Sequence, residues 1–399
     1  MEKKHLLSVS LACSQGHPAK DKNNLSLLQT SHKFTNLTLL HNIIPMPDSK
    51  RNLYLLGRPF SPLYSAAMKL RSSLYGRNLF RRYKMEVPVI SIGNLTMGGT
   101  GKTPIVSYLA TFLQGQGYRP AIISRGYGGA SGNKVNVVSD GKEIFLDAEQ
   151  AGDEPRLLAE TLPGIPVLTG IVRAMPCRHA IHTLGCDILL LDDGFQHLAV
   201  DRDINLVLFS AESLAGNSRV FPGGDLREPV SALLRCDAFL LTGTTAGNKE
   251  RADRFAALLQ SRFPSKPVFF SSYTASEAKD EKGGTTIPLT TLPTPLHGFC
   301  GIARPEAFRQ SLIEQGISLS GFTALRDHQP YTPRILRQIR KEAMDSGARG
   351  IITTAKDMVK LKDHSFPLPF FSLQMLTHID DGLQSFIIER LKRLKHNRR

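Results

Sequence analysis

The chain carries Thr96-Met97-Gly98-Gly99-Thr100-Gly101-Lys102-Thr103 directly after the β-branched run Val87 to Ile92. These residue types at this spacing suit a nucleotide triphosphate. Glycines let backbone N–H groups close around phosphate oxygens, the start of the following helix adds partial positive charge, and Lys102 reaches the β- and γ-phosphates. The Thr103 hydroxyl stands where a Mg²⁺ ligand is needed. The usual pattern opens with Gly six residues before the Lys; Thr96 occupies that place, so the loop is a variant whose freedom rests on Gly98 and Gly99.

Further candidates lie downstream. The apolar run Asp187 to Leu191 ends in Asp192-Asp193-Gly194. A carboxylate at the carboxyl end of a buried parallel strand, beside the loop's Thr, is what a Mg²⁺·nucleotide site requires, so Asp192 and Asp193 are metal candidates against the blander reading of a solvated turn. Asp153 and Glu154 precede a helix, which capping alone would explain. Asp327-His328 sits in a loop after the strand-like Phe322 to Leu325, where a His beside an acid suits acid–base work, although most loop histidines are simply surface residues. Thr354-Ala355-Lys356-Asp357 misses the guanine-reading Asn/Thr-Lys-x-Asp spacing, and Asp192-Asp193-Gly194-Phe195 misses the Asp-x-x-Gly of GTPase switches. ATP is expected over GTP.

Positioning these residues calls for alternating strands and helices, hence parallel sheets. Strands are expected at 87–92, 120–124, 167–169, 187–191 and 204–209, the last closing a first sheet, with a hairpin-like stretch at 135–145. Helices are expected at 105–114, from 155 to 162, and at 173–184. After the turn-rich Phe221 to Pro229 the rhythm restarts with strands at 238–242 and 268–272 around a helix at 249–263. The Gly/Thr-rich segment 276–295 reads as a linker or β-ribbon, and strands near 296–302, 350–354 and 369–374 follow. At 399 residues the chain has room for two α/β domains.

Five scattered cysteines, without Cys-x-x-Cys, argue against a disulfide framework or zinc site and for a reducing compartment. No window approaches 18 consecutive apolar residues. The net charge of +15 is uneven, because residues 1–90 hold 14 Lys/Arg against 4 acids. Residues 1–45 read as irregular: a disordered tail, a targeting segment poor in Arg, or a stretch upstream of a start at Met46. From Arg51 to Lys84 there are 8 basic residues and no acid. Leu63, Ala67, Leu70 and Leu74 fall on one helical face with Tyr64, Met68 and Tyr75 beside them. A basic amphipathic helix with interfacial tyrosines suits an anionic membrane surface, the competing reading being a helix packed on the protein with a solvated basic face. Nothing resembling a nucleic-acid-binding motif accompanies the charge, and no nucleic-acid partner is expected.

Taken together, the ordered motifs resemble the tetraacyldisaccharide 4′-kinase family, membrane-associated P-loop kinases of lipid A synthesis. They are Pro59 to Tyr64, Pro88 to Pro104, Ser124-Arg125-Gly126-Tyr127-Gly128, Gly152-Asp153-Glu154-Pro155, Leu191 to His197, Leu226-Arg227-Glu228-Pro229, Asp327-His328 and Lys356-Asp357. The resemblance implies transfer of the ATP γ-phosphate to the 4′-hydroxyl of tetraacyldisaccharide 1-phosphate, with Mg²⁺, by an enzyme on the cytoplasmic face of a bacterial inner membrane; a monomer is expected. It implies two α/β domains joined by a β-ribbon; with the residue reading, the expected bounds are an extension at 1–50, a basic helix at 51–84, a P-loop domain at 85–235 and a smaller α/β domain at 236–399 with a linker near 276–295. It matches Asp153 to the base for the sugar hydroxyl and His328 to its partner. Residues 96–103 correspond to the phosphate loop, and Asp192 and Asp193 to the acidic pair of the metal site. Gln329, Ala355 and Asp225 depart from the family's usual residues. The alternative is a membrane-docked ATPase switch without a lipid acceptor.

Overall fold

The computed structural model describes residues 48–361 and 364–398, so the expected irregular extension lies outside it as far as residue 47. Strands β1 (Val89–Asn94), β2 (Pro120–Ser124), β3 (Asn136–Ser139), β4 (Val167–Thr169), β5 (Ile188–Asp192), β6 (Ile204–Ser210) and β7 (Ala238–Thr242) form the first part of the sheet. Strand β8 (Val268–Asp280) is followed by β9 (Thr286–Pro288), β10 (Leu296–Cys300), β11 (Leu319–Ala324), β12 (Gly350–Thr354) and β13 (Phe370–Ile379). Among the described residues these make one ladder in the order β11-β10-β12-β13-β8-β7-β6-β1-β5-β2-β4-β3, with β9 beside β8. Most pairs are parallel; β3–β4, β8–β9 and β8–β13 are antiparallel.

The helices are α1 (Asp48–Gly57), α2 (Ser61–Gly76), α3 (Lys102–Gly115), α4 (Ala148–Ala151), α5 (Asp153–Thr161) and α6 (Ala174–His182). The remainder are α7 (Lys249–Arg262), α8 (Pro305–Glu314), α9 (Pro333–Asp345), α10 (Ala355–Met358) and α11 (Asp381–Arg398). Strand β1 is buried along its whole length, as a central parallel strand covered on both faces must be. Ile105, Val106, Leu109 and Leu113 of α3 pack on Ile90, Ile92 and Leu190. A separate cluster around Phe299, Ile339 and Phe370 forms a core in the C-terminal half.

Three expectations need correction. Strand β6 does not close a sheet: β7 pairs with it in parallel, and the first residues of β8 pair with β7. Helix α11 also returns to the first core, where Leu383, Ile387 and Leu391 are buried. The break expected at residue 235 therefore falls inside a continuous ladder. Strand β8 runs to Asp280 instead of stopping near Ser272, its second part pairing with β13 from Ile379↔Ser271 to Phe371↔Asp280. Its Ser/Thr/Ala-rich composition hid this because β13 supplies the apolar Phe371 and Leu373, while Ala275 and Ala278 are buried small residues. Lastly, the basic stretch 51–84 is two helices joined by a 3₁₀ turn over Arg58–Phe60, and the helical part ends at Gly76. Pro59 and Pro62 each remove an amide donor, which favours a fresh helix start over continuation.

Candidate active site

The loop between β1 and α3 has the conformation its glycines were expected to allow. Gly98 and Gly101 have φ of 101° and 68°, in the left-handed region. At Gly101 a Cβ would also meet the Tyr273 hydroxyl at 2.3 Å, so two constraints select glycine there. Thr96, standing where the usual pattern has Gly, is buried and bridges Leu226. Met97 N–H donates to Asp225 O at 2.7 Å and Arg227 N–H to Leu95 O at 2.8 Å. The segment 221–229 thus braces the loop's entry, and the Thr242 hydroxyl braces its exit by donating to Thr100 O at 2.7 Å. Asp225 is itself held from α1, where the Tyr54 hydroxyl donates to its carboxylate at 2.5 Å.

Lys102 opens α3 and points its ammonium back across the loop, 3.3 Å from Asn94 Oδ1 and 3.7 Å from Asp193 Oδ1. Thr103 follows in the first turn, on the wall of a cavity of 1020 Å³ between the two halves of the molecule. Asp192 and Asp193, adjacent in sequence, have different surroundings. Asp192 ends β5, is buried, and its Oδ1 has no hydrogen-bond partner. Burial pushes its carboxyl up to about 6, with the Glu154 charge adding to the effect and Lys102 opposing it. Asp193 turns into the left-handed region at φ 50° and accepts two contacts from Arg227 Nη1, at 2.8 and 3.1 Å. Burial works against its charge, but Lys102 and Arg227 outweigh that and hold its carboxyl below the usual range.

Two arginines, Arg173 buried and Arg202 half-buried, hold this corner in shape. Arg173 Nη1 donates to Asp193 O at 2.9 Å. Arg202 Nη1 reaches the carbonyls of Gly194, Phe195 and His197 at 3.5, 3.3 and 3.2 Å, satisfying a tight turn from within.

Across the same cleft, Asp153 begins α5 in the first half and His328 sits in a loop of the second half at φ 58°. They are 175 residues apart in sequence, yet His328 Nδ1 lies 3.0 Å from Asp153 Oδ2. Lys360 Nζ lies 3.1 Å from the same oxygen, and Lys356 Nζ lies 3.2 Å from His328 Nε2. Glu154 and Lys356 line the cavity that Gly101 and Thr103 also line, so the phosphate loop and the immediate neighbours of the Asp153–His328 pair open onto one space.

Sequence reasoning did not single out Lys360, Arg173 or Asn94, and named Arg227 only within a motif. The one available signal was the spacing of Lys356 and Lys360, four apart after a buried strand, which puts both on one side of a helical turn. Among the described residues no group of three or more His, Cys, Asp or Glu side chains could hold a metal alone. Mg²⁺ usually takes one or two carboxylates and completes its shell with phosphate and water. The unpartnered Asp192 oxygen fits such a role.

Residues 53–392 match the family model described as Tetraacyldisaccharide-1-P 4′-kinase. The tetraacyldisaccharide 4′-kinase of Desulfotalea psychrophila is 49% identical over 345 residues, covering 86% of this chain and 98% of that protein. That of Syntrophus aciditrophicus is 39% identical, covering 87% and 96%. Among solved structures, LpxK from Aquifex aeolicus in complex with ATP is 30% identical and superposes with a TM-score of 0.66, covering 84% of this chain and 98% of that one.

Proposed function

Because the chain belongs to the tetraacyldisaccharide-1-phosphate 4′-kinase family, we propose that it transfers the γ-phosphate of ATP to the 4′-hydroxyl of tetraacyldisaccharide 1-phosphate. The product is the 1,4′-bisphosphate used in lipid A synthesis. The observation that carries this reading is the shared cavity, onto which both the phosphate loop and the neighbours of Asp153 and His328 open.

Phosphoryl transfer asks a protein chiefly to position groups and neutralise charge. The loop's backbone N–H groups and Lys102 do this for the β- and γ-phosphates, with Asn94 and Asp193 aiming the ammonium. Asp153 accepts the proton of the sugar hydroxyl as its oxygen closes on phosphorus, and His328, contacting Oδ2, orients the carboxylate. Asp192 and Thr103 are the residues that would hold Mg²⁺. That ion supplies neutralisation of charge on the phosphoryl oxygens when bound. Asp193 is engaged by Arg227 and serves Lys102 instead.

The acceptor is a lipid, and α2 offers a way to meet it. Its Tyr64 side docks on the protein, with the Tyr64 hydroxyl donating to Arg227 O at 3.2 Å and Arg71 to Gln196 O at 3.1 Å. Leu63 and Leu70 point outward, 74% and 61% exposed, and Leu53, Leu56, Phe60 and Leu79 are exposed nearby. Apolar groups set among Arg and Lys suit the cytoplasmic face of an inner membrane with anionic lipids. No helix among the described residues is long and apolar enough to cross a bilayer.

Purified protein given Mg²⁺·ATP is expected to phosphorylate tetraacyldisaccharide 1-phosphate, and Lys102→Ala and Asp153→Asn are each expected to lower kcat by about 100-fold or more. Full turnover in Asp153→Asn would reject the base. ATP hydrolysis indifferent to any lipid acceptor would favour an ATPase switch.

A further inference from the structure

Two consecutive carbonyls at the exit of the phosphate loop each accept from the hydroxyl of a neighbouring strand. Thr100 O accepts from Thr242 of β7 at 2.7 Å, and Gly101 O accepts from Tyr273 of β8 at 3.2 Å. The peptide bonds here are trans, the cis bonds among the described residues preceding Pro222 and Pro295. In a trans peptide the C=O and the following N–H point in opposite directions. Holding Thr100 O therefore turns the Gly101 N–H away from Thr242, and holding Gly101 O turns the Lys102 N–H away from Tyr273. Neither amide has a backbone acceptor among the described residues. Two adjacent amides left open where a helix begins are what a phosphate oxygen needs.

The two hydroxyls have different origins. Thr242 ends β7, within the first half. Tyr273 lies three residues past Phe270, the last residue of β8 to pair with β7, and is itself paired with Thr377 of β13. Strand β8 is pinned where it changes partner, because Ser271 O accepts from both the N–H and the hydroxyl of Thr244, each at 2.9 Å. Burial pushes the Tyr273 phenol up to about 12, so it keeps its proton and stays a donor. Gly101 leaves room for the phenol oxygen by having no Cβ. A side chain from the part of the ladder shared with the second half thus reaches the loop of the first.

We propose that Tyr273 is a positioning residue for nucleotide binding: by holding Gly101 O it aims the Lys102 N–H at a phosphate oxygen, so the grip on ATP depends on strand β8. The proposal rests on the reading of residues 96–103 as the phosphate loop. Titration calorimetry of the full chain with Mg²⁺·ADP, and steady-state kinetics with Mg²⁺·ATP and tetraacyldisaccharide 1-phosphate, test it. Tyr273→Phe keeps the ring and removes only the hydroxyl. It is expected to raise the Kd for ADP and the KM for ATP about 5- to 20-fold, the effect of one oriented hydrogen bond. The KM for the lipid is expected to stay within about twofold and kcat within about threefold, because the loss falls on nucleotide binding.

Parental Kd and KM in Tyr273→Phe overturn the proposal. So does an equal rise in KM for both substrates, which a general loosening of the fold would give. If Tyr273→Phe shows no cooperative thermal melt, Tyr273→His carries the same comparison. Lys102→Ala separates this proposal from the reading beneath it. Parental ADP affinity in Lys102→Ala overturns the phosphate-loop reading and the role of Tyr273 with it. Lost ADP affinity in Lys102→Ala beside parental affinity in Tyr273→Phe overturns Tyr273 alone.

Discussion

One peptide bond separates Asp192, buried with an unpartnered oxygen, from Asp193, which is clasped by Arg227. The left-handed turn at Asp193 is what sends the two carboxylates in different directions. Four residues on, burial pushes the His197 imidazole down from 6.5 to about 3, helped by the guanidinium charges of Arg173 and Arg202. The unfolded chain then takes up this proton before the folded one does. Stability therefore falls with pH from 6.5 towards 3, by about 1.4 kcal/mol per pH unit, or about 2 kcal/mol between pH 6.5 and pH 5. His197→Gln is expected to lose correspondingly less between pH 7.5 and pH 5 in urea denaturation; an acid loss equal to the parent's would refute this. The sequence made the phosphate loop readable because glycine, lysine and threonine act there through local backbone geometry. It left Lys360 and Arg227 unassigned, since their roles depend on partners more than 30 residues away.

Among the elements, α2 divides its work by face. Tyr64, Ser61 and Arg71 hold it to the loops flanking the site, with the Ser61 hydroxyl donating to Val220 O at 2.8 Å and Tyr64 meeting Phe221 edge-on. Leu63 and Leu70 touch little, so changing them should leave the fold alone. Leu63→Ser/Leu70→Ser is expected to weaken binding to anionic vesicles several-fold, each leucine being worth about 1.5–3 kcal/mol if fully buried, with an unchanged thermal melt. Sedimentation with vesicles measures the first and calorimetry the second. Equal vesicle binding by parent and variant would remove α2 from the membrane reading. Helical periodicity gave the apolar stripe, but a solvent-facing stripe and a core-facing one have the same pattern in one dimension. Strand β8 was only half visible for a related reason: its polar second part becomes a strand through β13, about a hundred residues later.

Across the whole molecule, a single ladder joins the halves, and α11 crosses back to complete the first core. Removing residues 381–399 takes Leu383, Ile387 and Leu391 out of contact with the cluster that contains Ile105 and Leu109. At about 1.5–3 kcal/mol for each buried side chain, the loss is about 5 kcal/mol or more, comparable to the stability of a typical domain. The shortened chain is expected to lose its cooperative melt in calorimetry, and a melt at the parental temperature would contradict this. Alternating strands and helices announced the α/β class, but only the fold shows that the last helix belongs with the first core. The same connectedness runs from Tyr54 of α1 through Asp225 to Met97 at the mouth of the phosphate loop. With the outward leucines resting on a bilayer, that chain of contacts sets Lys102 at one height above the lipid headgroups. The enzyme would then work as a caliper: only a headgroup tall enough to lift its hydroxyl to that level could be reached, and acceptors would be sorted by stature before any contact with the sugar is made.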